Sequence, residues 1–525
     1  MFKLTKDEFN EGLKALKFHG VSGFLPPQPE WVAVLDSSEL SDQVCGIDLQ
    51  SYSPYEPLAS YAPKNDMLVR PIDFLHIQDV VILTCLCRLL RDSIEAARLP
   101  KSKKKSFSYR VGKKTVGLYE TRGAYEKYRA HTSSKLQSAR CQFVATIDIA
   151  DFFSNVYQHR LENSLQSAAE GERERKAVGV LCRLLGKLAG GKSYGIPTGP
   201  FACRILAEAL LIDVDAALQE KGIDFVRWMD DLTVFAKSEQ EAVEIIQFVS
   251  KWLREQHGLI VNQSKTDIYA KDDFVADVWK TYDEEHEHFR DLVLRMKAGS
   301  PYEDENEDVE GEPQEGEGLN SAEVVDVFDI ALKIDKVPKY GLIKHILERV
   351  IFREGFEDEA RKKIVSAAIA NVDSILPVLD ALCKALSNDQ NASDRDVVKF
   401  VRPLLKRYQK PKYFVPGYVA FWPIWLVGER RLNQLKPLVK QIAVSADDLV
   451  VKRECLIALS KIGSRPDLLD IKDTYDAQAS SVRPALVLAT QVLGQDERKY
   501  WKSSRSISDH YEKAVFSYDF ADESG

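Results

Sequence analysis

Two adjacent aspartates interrupt an apolar run in the stretch FVRWMDDLTVF, residues 225–235. Neighbouring carboxylates repel each other and resist desolvation, so an interior strand seldom carries them. Asp148 offers a third carboxylate in a similar setting, because it follows the β-branched run FVATI and precedes the pair Phe152–Phe153. If these two strands are neighbours in one sheet, Asp148 meets Asp230 and Asp231 at one end of it. Divalent cations are the natural compensation for three clustered carboxylates, and oxygen ligands of this kind suit Mg²⁺.

Such a site predicts phosphoryl-transfer chemistry. Two ions about 3.5–4 Å apart can clamp a triphosphate and an attacking hydroxyl for in-line displacement. The alternative is structural, since Asp230 and Asp231 lie between two strand-like flanks where a tight hairpin turn is expected. Taken alone, the pair is equally well explained by that turn, and the second acidic position at Asp148 favours the metal site.

Two further stretches fit the same chemistry. GGKSYGIPTGPFACRILAEALL places Gly195, Pro197 and Gly199 ahead of a long helix, where backbone can approach a ligand closely. HGLIVNQSKTDIY offers Asn262 and Lys265 after a short apolar strand, and Lys265 is placed to meet a phosphate. Glycine-rich loops and surface lysines are common, so neither stretch is specific by itself.

The elements that must position these residues divide the chain in two. Strand-like and helical patterns alternate up to residue 299, which predicts an α/β or α+β domain. Residues 300–320 hold nine acidic residues with Gly and Pro and predict a linker. We therefore expect an N-terminal segment at 1–63, a catalytic domain at 64–299, the linker at 300–320, a helical domain at 321–500 and a tail at 501–525.

The second half has helical periodicity. DDLVVKRECLIALSKIG aligns apolar residues on one face and ends at Gly463, while SSVRPALVLATQVLG begins at Ser480 or Ser481 and ends at Gly494. The two stops lie 31 residues apart. This period predicts an α-solenoid of the HEAT kind, with an irregular helical bundle as the alternative.

Composition limits the class of protein. The chain of 525 residues is 45% hydrophobic and has a net charge of −8, which excludes disorder and argues against nucleic-acid binding by the whole surface. The eight cysteines form no zinc-type spacing and are expected to be reduced thiols of a cytoplasmic protein. No run reaches the roughly 18 apolar residues of a membrane span, and the N-terminus has no signal-peptide pattern.

The order of the motifs carries a resemblance. IDIADFFSNV, GIPTGPFACRILAE, RWMDDLTVF and GLIVNQSKT resemble motifs A to D of reverse transcriptase palms, with a right-hand fold of fingers and palm. The resemblance implies that Asp148, Asp230 and Asp231 hold Mg²⁺, or alternatively Mn²⁺, together with the Ile149 carbonyl. It implies that Phe153 excludes a ribose 2′-hydroxyl. Pro197 and Gly199 would follow the template and incoming base, with Lys265 as the motif D lysine.

Residues upstream extend the resemblance. LPKSKKKSFSYRVGKKTVGLYE has seven basic residues and one acid, and FSYR resembles a fingers motif of bacterial reverse transcriptases. Arg110 is suited to bind the triphosphate in a bidentate manner, with a structural role as an equal alternative, whereas the Lys101–Lys105 run is more typical of a solvated loop. The segment VRPIDFLHIQD, near Arg70, is expected to begin the fingers.

A palm followed by HEAT-like helices is similar to the abortive-infection (Abi) reverse transcriptases and other bacterial defence-associated members. In motif B, Thr198 and Cys203 stand where templated enzymes commonly have Gln and Ser. The resemblance implies protein-primed, template-independent DNA synthesis from dNTPs, covalently attached DNA, homo-oligomers, and arrest of phage-infected bacterial cells. The candidate priming hydroxyls are Tyr52, Tyr55, Tyr61, Tyr511 and Tyr518.

Two other functions remain open on the sequence alone. One is a templated reverse transcriptase that copies a partner non-coding RNA. The other is a non-catalytic scaffold in which a degenerate palm supports helical-repeat binding, against which the intact set of three aspartates argues.

Overall fold

The computed structural model describes residues 1–65, 67–112, 114–121, 123–275, 320–333, 340–505, 507 and 509–518. The acidic segment at 300–320 therefore lies, apart from Asn320, outside the described residues. No helix in the described part of the chain is long and apolar enough to cross a membrane.

The chain packs as two compact units, each assembled from separate stretches. The sheet unit contains Met1–Gly23, Ser41–Pro54 and Gln78–Gly316, and the helical unit contains Phe24–Leu40, Tyr55–Ile77 and Glu317–Gly525. The boundaries expected along the sequence run differently, because they divide the chain at single points. In particular, the segment around Arg70 packs in the helical unit, whereas the sequence suggested the start of the fingers.

In the described part of the chain six strands form two sheets, β1–β2 in the helical unit and β4–β5–β3–β6 in the sheet unit, and these strands pair in antiparallel fashion. The strands are β1 (Leu58–Pro63), β2 (Val69–Phe74), β3 (Phe143–Ile147), β4 (Phe225–Trp228), β5 (Asp231–Ala236) and β6 (Asp267–Ala270).

The helices of the described residues follow in chain order. They are α1 (Lys6–His19), α2 (Pro29–Leu35), α3 (Leu40–Gly46), α4 (Ile77–Ala97), α5 (Ala124–Leu136), α6 (Phe152–Asn155), α7 (Gln158–Ala168), α8 (Gly171–Leu188), α9 (Ala202–Leu210), α10 (Ile212–Glu220), α11 (Glu239–Trp252), α12 (Lys271–Asp273), α13 (Ser321–Lys333), α14 (Tyr340–His345), α15 (Asp358–Ala370), α16 (Leu379–Asn388), α17 (Asp394–Gln409), α18 (Tyr418–Glu429), α19 (Lys436–Ser445), α20 (Leu449–Ile462), α21 (Arg465–Lys472), α22 (Arg483–Ala489), α23 (Gln495–Ser504) and α24 (His510–Ser517).

The sheet unit buries the edge strand β4 and almost all of its neighbour β5. All four residues of β4 are buried, and so is every residue of β5 after Asp231. Helix α11 packs on β3 and β5, and its start is capped by Ser238, whose hydroxyl accepts a hydrogen bond from the Glu241 N–H. Such capping satisfies one of the free N–H groups of the first turn. The sheet therefore provides a rigid platform for residues at its ends.

Several helices of the helical unit pack on the helix that lies two positions further along the chain. α16 packs on α18, α18 on α20, α20 on α22, and α22 on α24. Side-chain hydrogen bonds repeat the spacing, since Lys344 bonds to Asp380 and Arg430 to Asp394 across 36 residues, and Arg465 to Glu497 across 32. Stacked helix pairs produce contacts of this kind. The assignment to HEAT repeats stays a prediction.

The two sequence patterns of this half fold only partly as expected. Helix α20 does end at Gly463, but its buried residues surround the helix, and they include Arg453 and Glu454. Helix α22 begins after Val482, not at a capping serine, and ends at Ala489 before a short 3₁₀ turn. Packing of α18, α19 and α22 around α20 explains why a one-sided apolar face was too simple an expectation.

Arg453 and Glu454 form a buried charged cluster inside the helical unit. Arg453 pairs with Glu30 and lies 4.2 Å from the centroid of the Phe74 ring. Gln28 donates a hydrogen bond to Glu454 over 3.3 Å. Burial raises the pKa of the Glu454 carboxyl to about 7, although Arg453 acts in the opposite direction.

This pKa makes stability depend on pH. In the unfolded chain Glu454 loses its proton near its ordinary value of 4.5, whereas the folded protein keeps the proton up to about pH 7. Between these values the free energy of unfolding should fall as pH rises, because folding then requires proton uptake.

We expect Glu454→Gln to remove this dependence, since glutamine resembles the protonated acid at every pH. Relative to the parent, the variant should gain on the order of 1–3 kcal/mol between pH 4.5 and 7.5. Denaturant unfolding of both proteins at several pH values measures the difference, and a constant difference would contradict the assignment.

Candidate active site

Strand pairing brings the three predicted aspartates to one end of the four-stranded sheet. β3 and β5 pair with Ile147 opposite Leu232, so the next step of the same register sets Asp148 opposite Asp231. β4 and β5 form a hairpin in which Trp228 pairs with Asp231, which leaves Met229 and Asp230 as the two-residue turn. The sequence offered a hairpin turn and a carboxylate site as alternatives, and the structure contains both.

The carboxylates influence one another strongly. Asp231 keeps contact with solvent, yet the protein atoms around its carboxyl desolvate it, and the charges of Asp230 and Asp148 add to this effect. Together they raise the pKa of Asp231 to about 7. A carboxylate cluster that holds a proton near neutral pH has more negative charge than its surroundings can neutralise.

Asn262 and Lys265 approach Asp148 from the loop before β6. The Asn262 amide donates to Asp148 Oδ2 over 2.8 Å, and Lys265 Nζ lies 3.0 Å from Asp148 Oδ1. The Asn262 N–H also donates to the Asp148 carbonyl over 2.7 Å. Burial opposes ionisation of Lys265, but the hydrogen bond to Asp148 and the charges of all three aspartates raise its pKa. The loop expected near a phosphate thus contacts the carboxylates.

The donor set fits a hard divalent cation by its chemistry. Asp148, Asp230 and Asp231 supply oxygen ligands, which Mg²⁺ prefers. Ile149 bridges Val261, but the two hydrogen bonds of that bridge come from Ala150 and Asn262, so the Ile149 carbonyl takes part in neither. Within the described residues no three His, Cys, Asp or Glu side chains stand in a metal-binding arrangement. One oxygen of Asp148 contacts Lys265 and the other Asn262.

The glycine-rich loop is hydrogen-bonded to the segment that follows Asp148 in the chain. The Gly195 N–H donates to the Val156 carbonyl over 2.8 Å, and the Ile196 N–H donates to the Phe153 carbonyl over 2.9 Å. Gly195 has φ +89°, and a Cβ there would lie 3.3 Å from the Ser154 carbonyl oxygen. The position therefore requires glycine.

Three further predicted site residues belong to the glycine-rich loop or to α6, to which the loop is hydrogen-bonded. Phe153 is half-buried, with its ring 6.0 Å from that of Phe152, and Pro197 is buried. Gly199, with φ +136°, precedes α9. Their roles toward sugar, template and base stay predictions.

Arg110 has a structural role in this conformation. It is buried, and its guanidinium pairs with Glu95 at 2.7 Å and donates to the carbonyls of Ser106 and Leu99. Binding of a triphosphate by Arg110 stays a prediction and would require these contacts to open. In the neighbouring lysine run, Lys105 pairs with Asp224 at 2.8 Å.

A buried charged cluster, which the sequence patterns did not reveal, lies beneath the aspartate turn. Arg227 of β4 pairs with Asp215 of α10 at 2.6 Å and with Glu208 of α9 at 3.0 Å. Arg98, which directly follows α4, pairs with the same Glu208 at 2.8 Å, and the Ser108 hydroxyl donates to it. Full burial would raise the pKa of Glu208, yet Arg227 and Arg98 hold it below its usual value.

This cluster holds the turn in a strained conformation. Met229 has φ +54°, a region that costs side-chain-bearing residues on the order of 1 kcal/mol or more. Its N–H donates to the Ser108 hydroxyl and its carbonyl accepts from Arg227 Nη1, both over 2.8 Å. The available signal in the sequence was the presence of Glu208, Asp215 and Arg227 within otherwise apolar runs, since buried charges are normally paired.

The five candidate priming tyrosines differ in exposure. Of these five, only Tyr61 is exposed, at 41%. The Tyr52 hydroxyl donates to Asp79 over 2.6 Å, Tyr55 stacks on His76 with centroids 3.8 Å apart, and Tyr511 is buried. Tyr518 is half-buried.

Comparison with known proteins agrees with this geometry. Residues 63–290 match the family described as reverse transcriptase (RNA-dependent DNA polymerase). The retron Ec86 reverse transcriptase of Escherichia coli is 22% identical over 142 residues, which are 27% of this chain and 43% of that protein. The matched region is therefore a reverse transcriptase domain, the nucleotidyltransferase type of an RNA-directed DNA polymerase. The aligned part spans less than half the length of this curated relative.

Two solved telomerase structures also resemble the chain. That of Candida albicans with a fragment of telomeric RNA is 11% identical, covers 77% of this chain and 67% of its own, and has a TM-score of 0.31. Apo telomerase of Candida tropicalis is 10% identical, covers 77% and 69%, and has a TM-score of 0.33. Likeness at this level carries no weight for the function.

The buried cluster predicts the effect of removing Arg227. We expect Arg227→Met to lower the free energy of unfolding by about 3–5 kcal/mol, because it leaves Glu208 and Asp215 short of a buried counter-ion. Denaturant unfolding followed by circular dichroism measures the loss. Arg183→Met, at an exposed arginine of α8, is the control and should change stability by less than about 0.5 kcal/mol. Equal effects of both substitutions would show that the cluster is not needed.

Proposed function

We propose that this protein is a DNA polymerase of the reverse transcriptase type that joins deoxynucleotides at Asp148, Asp230 and Asp231. The observation that supports it most directly is the register of β3 and β5, which sets Asp148 opposite Asp231 within the region matched by the reverse transcriptase family. Three carboxylates on adjacent strand ends are what a two-metal nucleotidyl transfer requires.

In this proposal the chain's own residues bind and orient the reactants. Asp148, Asp230 and Asp231, with the Ile149 carbonyl, would hold Mg²⁺, or alternatively Mn²⁺. When bound, such ions neutralise charge on the triphosphate and on the attacking oxygen. Lys265 is charged and flanks Asp148, so it is placed to bind a phosphate oxygen. Phe153 would pack under the sugar and favour deoxynucleotides.

The finer proposal is protein-primed, template-independent synthesis in anti-phage defence, by a homo-oligomer in the bacterial cytoplasm. Its support is the pattern of motifs, the Thr198 and Cys203 substitutions in motif B, and the helical unit that accompanies the catalytic domain. Tyr61 is the best-placed priming residue by exposure, since the hydroxyl must reach the active site. A templated enzyme that copies a non-coding RNA is the second candidate, favoured by the RNA-dependent activity in the family's description.

The aspartates can be tested individually. We expect Asp148→Asn, Asp230→Asn and Asp231→Asn each to reduce deoxynucleotide incorporation by at least about 100-fold, since each removes a charged ligand from the site. Incorporation of labelled dNTPs in the presence of Mg²⁺ is the measurement. Asp272→Asn, at an exposed position of α12, should retain the parental rate. Parental rates in all three site variants would exclude this site.

Priming and templating require a separate measurement. Intact-mass analysis after incubation with dNTPs should show attached DNA in steps of one nucleotide monophosphate, and RNase pretreatment should leave the yield unchanged. We expect Tyr61→Phe to abolish attachment, whereas Tyr500→Phe, at a 74% exposed tyrosine of α23, should not. Loss of all product after RNase would instead support the templated enzyme, and attached DNA on Tyr61→Phe would assign priming to another residue.

A further inference from the structure

The helical unit exposes a group of aromatic and basic side chains, of which the proposed function uses only Tyr61, as the candidate priming residue. We call it the aromatic–basic patch, and it consists of Tyr61, Val69, Pro71, Lys410, Lys412, Tyr413 and Phe414. Tyr413 and Phe414 are 85% and 61% exposed. The Tyr61 and Phe414 rings meet edge to face with centroids 5.6 Å apart, so the hairpin and the loop between α17 and α18 form one surface.

The hairpin contributes an apolar outer face. Along β1 the residues Leu58, Ser60 and Ala62 are buried, whereas Tyr61 points to the opposite side. Its cross-strand neighbour Pro71 is also exposed, and Val69 lies on the same outer face. Large exposed apolar groups that cluster in this way mark interaction sites more often than isolated ones do.

The loop contributes positive charge in an otherwise acidic protein. Between Asp396 and Glu429 the chain has six lysines and arginines and no acidic residue, although the net charge of the whole chain is −8. Lys410 and Lys412 are exposed, and Lys412 Nζ lies 5.2 Å from the centroid of the Tyr413 ring. Salt bridges among the described residues engage Arg407 with Asp373 but do not involve Lys410 or Lys412.

Exposed aromatic rings with lysines beside them indicate which kind of partner the patch can bind. Exposed aromatic faces stack with unpaired bases, and lysines beside them neutralise the phosphates of the same strand. A symmetric contact with a second copy of this chain would set the lysines of one patch against those of the other, which is unfavourable. Single-stranded nucleic acid has both unpaired bases for the rings and phosphates for the lysines.

We propose that the aromatic–basic patch binds single-stranded DNA, such as the strand that the enzyme makes. The choice of DNA over RNA rests on the proposed function. Bases would stack on Tyr413 and Phe414, with Tyr61 extending the platform, while Lys410 and Lys412 contact the backbone. The patch thereby holds product strand on the helical unit.

Binding can be tested in the full-length chain without DNA synthesis. A fluorescein-labelled oligo-dT is titrated into protein with Asp230→Asn and Asp231→Asn, in the absence of dNTPs, and anisotropy reports the affinity. We expect the added pair Tyr413→Ala and Phe414→Ala to weaken binding by about tenfold or more. Tyr500→Ala, a control at an equally exposed aromatic, should have no effect.

Salt dependence and crosslinking identify the residues that bind the strand. Lys410→Gln with Lys412→Gln should reduce the slope of log K against log salt by about 1.4, because each lysine that neutralises a phosphate of a single strand adds about 0.7 to the slope. Oligonucleotides with 5-iodouracil should crosslink to Tyr413, Phe414 or Tyr61. Unchanged affinity in the aromatic pair, or crosslinks confined to the sheet unit, would overturn the proposal.

Two further outcomes would also overturn it. Tighter binding of the matching oligo-U RNA would reject DNA as the occupant. Concentration-dependent association that disappears in Phe414→Ala, with DNA affinity unchanged, would identify the patch as an interface between copies. Because binding is measured in a catalytically disabled protein, failure of the patch is distinguishable from failure of the proposed polymerase activity.

Discussion

Arg227 is fully buried between Asp215 and Glu208, and the proposed active site depends on that set of ion pairs. The same guanidinium is shielded from solvent and donates to the Met229 carbonyl at the turn that carries Asp230. A lone buried charge would be costly, whereas a cluster with every charge paired is stable and rigid. The turn can therefore keep an unfavourable backbone conformation and hold Asp230 close to the carboxylates of Asp231 and Asp148.

The cluster also links regions that are distant in the chain. Ser108 follows the basic stretch, Glu208 belongs to α9 behind the glycine-rich loop, and Arg227 belongs to β4. Residues 105 and 107 pair through their backbone with Arg227, which adds a short parallel contact at the edge of the sheet. Elements expected to bind substrate thus share one buried set of hydrogen bonds with the turn. Rigid support of this type keeps functional side chains in position.

Lys265 shows how the site balances charge in this conformation. Its ammonium group contacts Asp148 and lies in the field of all three aspartates, which raises its pKa. The side chain remains about half exposed, at 54%, which is compatible with the phosphate-binding role proposed for it.

The candidate residues of the site, and the chemistry proposed for them, come from the amino-acid order alone. Asp148, Asp230 and Asp231 interrupt apolar, strand-like runs, and Lys265 follows one, so these residues can be recognised without knowledge of the fold. Asn262 and the glycine-rich loop were found in the same way. Antiparallel pairing of β3 with β5 then confirmed the expectation that the carboxylates meet at one end of a sheet.

Which charges pair and which segments pack together became visible only in the folded chain. Arg110 is a residue type that commonly binds phosphate, yet here it is buried and forms an ion pair with Glu95 of α4. The hairpin β1–β2 precedes the catalytic motifs in the chain but packs in the helical unit. Glu208, Asp215 and Arg227 are joined only when α9, α10 and β4 assemble. Contacts between residues far apart in sequence depend on packing, which local patterns do not encode.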